Sequence, residues 1–123
     1  MSFYSQFQYN HKEKMLRIEG KGRMTSYTEN NQPWNEDKPN ITTILIEEGV
    51  TSIGDSAFYY CSSMQQINIS DSVTSIGEWA FSSCSSLKQI NIPANSIEKF
   101  KKMLPGELWD ILKEEDDERN LPF

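Results

Sequence analysis

The chain contains no apolar run of the roughly 18 or more residues that a membrane-crossing helix requires, so membrane insertion is not expected. It has a single histidine, His11, and only two cysteines, Cys61 and Cys84. A structural zinc site takes four ligands, more than these three residues supply. A Ser-His-Asp arrangement would have to recruit His11 from an irregular N-terminal stretch. Neither metal, cofactor nor enzymatic catalysis is therefore expected. GKG at Gly20–Gly22 is too short for a phosphate loop and no helix signal follows it. No Lys/Arg-rich stripe is present, which argues against a nucleic-acid partner. The start, MSFYSQFQYNHKEK, lacks the charged-then-apolar layout of a secretory signal. Apolar residues make up 37% of 123, lean for a globular core. Net charge is −6, but Glu114, Glu115, Asp116, Asp117 and Glu118 form one unbroken run, and the rest of the chain is almost neutral. Such a run reads as a solvated tail.

What the chain does have is a passage written twice. VTSIGDSAFYYCSSMQQINIS, from Val50, returns 23 residues later as VTSIGEWAFSSCSSLKQINIP, from Val73. A period of 20–30 residues indicates a solenoid, whose units bury their apolar faces only by stacking. In MQQINI and LKQINI the apolar residues fall at relative positions 1, 4 and 6, and the last three alternate as a strand does. Ile67 and Ile69 then face the core and Asn68 faces away. The VTSI segments are β-branched and extended. Gly54 and Gly77 mark a bend with positive φ or a close approach of neighbouring turns. A-F-x-x-C brings Ala57/Ala80, Phe58/Phe81 and Cys61/Cys84 back inside on a tight arc.

A partial copy, ITTILIEEG (Ile41–Gly49), aligns one period upstream, and Leu16 and Ile18 in KMLRIEGKGRM offer another alternating strand. Between them, TSYTENNQPWNEDKP reads as an irregular loop with Trp34 folded over the first turn. Downstream, Asn95 and Glu98 have the spacing of a capping box. Ile97, Phe100 and Leu104 then mark one helical face, Pro105-Gly106 a break, and Leu108, Ile111 and Leu112 a second amphipathic face.

V-T-S-I-G-x-x-A-F-x-x-C-S-S-L-x-x-I-x-I-P resembles the BspA-like leucine-rich repeat across residues 41–95. The lead-in L-R-I-E-G-K-G-R-M with Pro33-Trp34 and the closing IPANSIEKFKKMLPGELWDILKEE are similar to segments flanking such repeats. Met64 stands where leucine is usual, and Ser70 where Pro93 stands in the next copy. The resemblance implies a right-handed solenoid of parallel short strands, mostly β, used to bind proteins or surfaces. Several members are bacterial surface or secreted proteins implicated in adhesion, which points to a secreted or cell-surface location. The expected organisation is an N-terminal lead-in and irregular cap (1–40), repeats over 41–95 (partial 41–49, full 50–72 and 73–95), and a helical C-terminal cap with an acidic tail (96–123).

Stacked equivalent cysteines lie within bridging distance, but their side chains point in parallel, so buried free thiols are the preferred reading. The serines of CSS recur with the repeat and serve turns and hydrogen bonds. Two surfaces remain for a partner. Thr43, Leu45, Gln66, Asn68, Gln89 and Asn91 form an uncharged, amide-rich strand row, which could equally be a ladder that stabilises stacking. Tyr59, Tyr60 and Trp79 fall outside the A-F-x-x-C core, and exposed aromatics are enriched in contact hot spots. The expected function is a non-catalytic interaction module binding a protein or cell-surface partner, with adhesion the setting that the resemblance implies. The rival is a structural capping unit that self-associates.

Overall fold

The computed structural model describes residues 4–115, so Asp116–Glu118 of the acidic run and the remaining tail lie outside the described residues. The described residues form eight strands: β1 (Tyr4–Asn10), β2 (Met15–Arg23), β3 (Thr43–Ile46), β4 (Val50–Ile53), β5 (Gln66–Ile69), β6 (Ser75–Ile76), β7 (Gln89–Ile92) and β8 (Leu112–Glu114). One helix, α1, spans Ile97–Met103, and 3-10 helices span Asn35–Asn40 and Gly106–Ile111. The strands run in the order β6-β4-β2-β3-β5-β7-β8 and curl into a half-barrel about one core, with β1 antiparallel on β2.

The repeat makes two parallel ladders. In one, β2, β3, β5, β7 and β8 stack in register, so Leu16, Ile44, Ile67, Ile90 and Leu112 form one column. The first four of these are completely buried. Burial of that completeness stabilises by about 1.5–3 kcal/mol per side chain, but only because each turn covers the next. In the other ladder, β4 and β6 pair through Ser52/Ser75 and Ile53/Ile76. The long β2 starts both: residues 15–18 pair with β3, while Gly22 and Arg23 pair with β4. It bends between the two at Gly20 and Gly22 (φ 152° and 96°), which gives GKG a backbone role.

The A-F-x-x-C arc is a chain of tight turns. Ala57, Tyr59, Cys61 and Met64 amides donate to the carbonyls three residues back, at 3.1–3.2 Å. The alternate amides point along the stack: Ser56, Phe58 and Tyr60 donate to Glu78, Ala80 and Ser82 carbonyls at 2.9, 3.0 and 2.9 Å. Left-handed residues recur with the period, at Ser56 and Tyr60 and again at Trp79 and Ser83 (φ 55–61°). Phe58 stacks on Phe81, with ring centroids 6.0 Å apart. Gly54 and Gly77 are close-approach positions: a Cβ would lie 2.1 Å from the Thr25 carbonyl oxygen at Gly54 and 2.5 Å from the Asp55 amide nitrogen at Gly77.

Trp34 closes the N-terminal end of the stack. Its ring stacks on Phe58 at 5.7 Å, as Phe58 does on Phe81, and its Nε1 donates to the Ala57 carbonyl at 3.0 Å. Gln32 Nε2 donates to the Ser56 carbonyl, and the Tyr27 amide to that of Asp55. Side chains and backbone of the insert thus replace the amides of a missing earlier turn. Phe7 and Tyr27 pack edge-on against the same indole.

The C-terminal expectations need correction. The helix begins after Ser96, and neither Asn95 nor Glu98 forms a capping box, because Asn95 takes a left-handed turn (φ 62°). The Ile97 amide is met instead by the Glu114 carboxylate at 2.8 Å, a charged acceptor well suited to a helix N-terminus. The second amphipathic face is formed only in part, with Leu108 and Ile111 packed against the core from a short 3-10 helix. Leu108 and Ile111 lie half-buried on the 3-10 helix, which has no buried residue, and Leu112 belongs to β8. The open edge of β7, with its unpaired backbone groups, takes up that segment as a strand.

Candidate functional site

The strand row is assembled as its alternation requires. Thr43, Gln66 and Gln89 are aligned on adjacent strands, and Leu45, Asn68 and Asn91 on the next outward row. Asn91 is the hub: its Nδ2 donates to Asn68 Oδ1 at 2.6 Å and Gln66 Oε1 at 3.2 Å, and its Oδ1 accepts from Gln89 Nε2 at 2.6 Å. The two bonds from Asn91 to β5 span successive turns, so the amides form a ladder, yet Asn68 remains exposed while the other five are half-buried. The uncharged row is bracketed by exposed cations, Arg17 on β2 and Lys113 on β8. A groove of about 300 Å³ lies beside Asn68, Asn91, Lys113 and Glu115.

The aromatic group is split. Tyr60 and Trp79 are 61% and 67% exposed, whereas Tyr59 is half-buried, edge-on to Tyr60 at 6.2 Å. Tyr60 and Trp79 occupy left-handed positions, so their backbones carry strain of about 1–2 kcal/mol each. They stand at different places along the arc, filled by Ser83 and Ser56 in the other copy.

Lys38 escaped the sequence reading, because a lysine in an acidic, polar loop is ordinarily solvated. It is 6% exposed; its Nζ donates to the Glu29 carbonyl at 2.7 Å and lies 5.8 Å from the Tyr59 ring centroid. Desolvation pushes its ammonium pKa down, the largest effect on it, opposed in part by the Glu29 carboxylate. The only advance signal was its place three residues after the turn-forming Asn35 in a segment anchored by Trp34.

Cys61 and Cys84 are both free thiols, but only Cys61 is fully buried as expected; Cys84, one turn further on, is half-buried at the C-terminal end of the stack. Burial pushes Cys61 up to about 12 and Cys84 to about 11, and the Cys84 Sγ donates to the Phe58 carbonyl at 3.1 Å. Groups so reluctant to ionise make poor nucleophiles. Ser63, of the first CSS, donates to the Pro39 carbonyl at 2.7 Å, a structural role. His11 packs edge-on against Tyr9, away from the cysteines in the stack core. Among the described residues no group of three or more His, Cys, Asp or Glu could hold a metal, and no helix is long and apolar enough to cross a membrane.

A cleft of about 720 Å³ lies at the C-terminal end of the stack. Its wall is the second arc, from Ile76 to Ser85, with Trp79 and Phe81 prominent. Its other side is Met103–Pro105 with Glu107 and Leu108. No sequence signal announced it, because it is defined by where the repeat stops.

Comparison with known proteins bears on this geometry. A family model described as a BspA type leucine-rich repeat region (6 copies) matches residues 35–104. A crystal structure of a leucine-rich repeat protein from Eubacterium ventriosum ATCC 27560 superposes with a TM-score of 0.58 and 27% sequence identity. That match covers 73% of this chain and 31% of the other, so the chain spans about a third of that protein's length. No curated protein matches the sequence.

Proposed function

We propose, since the chain belongs to the BspA-type leucine-rich repeat family, that it is a non-catalytic interaction module that binds a protein or cell-surface partner through a rigid exposed face. Leucine-rich repeat domains generally mediate protein interactions, and adhesion is the biological setting this reading favours. A right-handed winding and closure of the C-terminal end by the short helices belong to the same reading. The observation that carries it is the strand row: six outward side chains held in register on three parallel strands, with no charge among them. Rigid presentation lowers the entropy lost on binding. Tyr60 and Trp79 supply a second, aromatic contact area. The hard-to-ionise thiols support a non-enzymatic role.

The test is affinity capture from host-cell and bacterial-surface extracts, with mass identification of what is retained. Three baits are compared: the natural chain, Asn68→Arg with Gln66→Arg on the strand row, and Tyr60→Ala with Trp79→Ala on the arc. Circular dichroism confirms that each is folded. A discrete protein held by the natural chain and lost from one variant supports that face. Equal capture by all three removes both faces from the proposal.

A further inference from the structure

The turn-on-turn interface inside the chain shows what its C-terminal end lacks. In the first arc, Ser56, Phe58 and Tyr60 amides are each accepted by a carbonyl of the following turn. Their counterparts 23 residues on are Trp79, Phe81 and Ser83. None of these three amides has an acceptor among the described residues, although the local turn bonds Ser82 to Trp79 and Cys84 to Phe81 are in place. After β7, β8 returns to cover β7, and among the described residues Met103–Pro105, Glu107 and Leu108 stand across the cleft from the arc without supplying acceptors to these amides. The result is a row of three like-directed donors over an apolar floor of Ile76, Ala80, Phe81 and Leu108.

We propose that this end is a docking site for a repeat turn supplied by another polypeptide. The incoming segment is of the I-G-x-x-A-F-x-x-C type, and its alternate carbonyl oxygens accept from Trp79, Phe81 and Ser83. Its phenylalanine enters the cleft between Phe81 and Leu108, next to the stacked column of Trp34, Phe58 and Phe81. The proposal rests on the interaction-module reading and names a partner class for it. Continuity with the existing interface is the argument, since residues 78–82 already present this acceptor edge to residues 56–60. A second copy of this chain does not fit. Its own acceptor end is occupied by Trp34, Gln32 and Tyr27, and two donor rows placed face to face repel. Glu78 and Glu107, exposed on the rim, favour an incoming turn with Lys or Arg at its variable positions.

The probe is a capped synthetic peptide copying residues 76–84 with Glu78→Lys and Cys84→Ser, titrated into the full 15N-labelled chain. Amide hydrogen exchange at Trp79, Phe81 and Ser83 should slow by about tenfold at about 1 mM peptide. A scrambled peptide should leave it unchanged. In the Leu108→Glu protein, whose substituted side chain is half-buried on the 3-10 helix, the protection should disappear while the spectrum elsewhere stays the same. No protection at that concentration overturns the proposal, as does protection of these amides in the free chain. Protection that rises with protein concentration alone overturns it in favour of a second copy. None of these results touches the strand-row capture experiment, which fails or succeeds separately.

Discussion

Replacing Gly54 by alanine adds one methyl group at the point where two turns come closest. Its Cβ would sit 2.1 Å from the Thr25 carbonyl oxygen, 2.7 Å from the Thr25 carbonyl carbon and 2.9 Å from Ser26 Cα. All three are backbone atoms, so no side chain can swing aside. Ordinary contact begins near 3.4 Å, which means the Thr25–Ser26 segment must withdraw by more than an ångström. That withdrawal breaks or stretches the bonds from the Met24 amide to the Ser52 carbonyl (3.3 Å) and from the Tyr27 amide to the Asp55 carbonyl (2.8 Å). Overpacking costs about 1–3 kcal/mol and each lost bond about 1 kcal/mol, for a total of about 3–5 kcal/mol. A domain's whole stability is about 5–15 kcal/mol. With a slope of about 1.5 kcal/mol per molar urea, the midpoint falls by about 2–3 M. The control is Gly106→Ala, where an added Cβ meets nothing within 4 Å; it should match the natural chain or gain up to about 1 kcal/mol. Urea titration followed by circular dichroism and tryptophan emission measures both. Equal midpoints for the two variants would refute the claim that neighbouring turns touch here.

Other expectations follow from the same contacts. Trp34→Phe keeps much of the stacking on Phe58 but leaves the Ala57 carbonyl unbonded, costing about 1–3 kcal/mol; Trp34→Ala costs about 3–5 kcal/mol, and a Phe variant as stable as the natural chain would show that the indole N–H contributes nothing. The thiols give an alkaline limb: burial raises Cys61 to about 12 and Cys84 to about 11, so their contribution is intact below pH 9 and is lost as pH rises toward those values. At pH 10.5, in reductant, each thiol should lower stability by about 2 kcal/mol relative to pH 8, and Cys61→Ala should flatten the decline; an unchanged slope in that variant would contradict the assignment. Asn91→Ala removes the hub of the amide ladder and should cost about 1–3 kcal/mol in thermal or urea unfolding, whereas a neutral result would assign the row to recognition rather than to stacking.

The inward positions were legible because the chain states them twice. Ile67 and Ile90, Phe58 and Phe81, or Gly54 and Gly77 each confirm the other, and the structure sets the pairs in register. Parts that occur once had no second copy to check against. Leu112 continued a helical spacing, but the exposed edge of β7 outweighed that local preference and made it a strand. Asn95 and Glu98 had cap spacing, while the helix found its acceptor in Glu114, distant in sequence. Tyr4–Asn10 carries too mixed a pattern to reveal the hairpin it makes with β2. The outward candidates could be named from alternation alone, but the half-burial of Tyr59 and the concealment of Lys38 depend on how the single-copy insert folds back.

The indole of Trp34 also guards against a hazard inherent in a directional stack. Every arc offers acceptors on one side and donors on the other, so a bare stack would be a brick whose top fits its own bottom. Head-to-tail contacts of that kind do not close, and they propagate as filaments. By occupying the Asp55, Ser56 and Ala57 carbonyls, the insert removes the face on which a second copy would have to land for such growth.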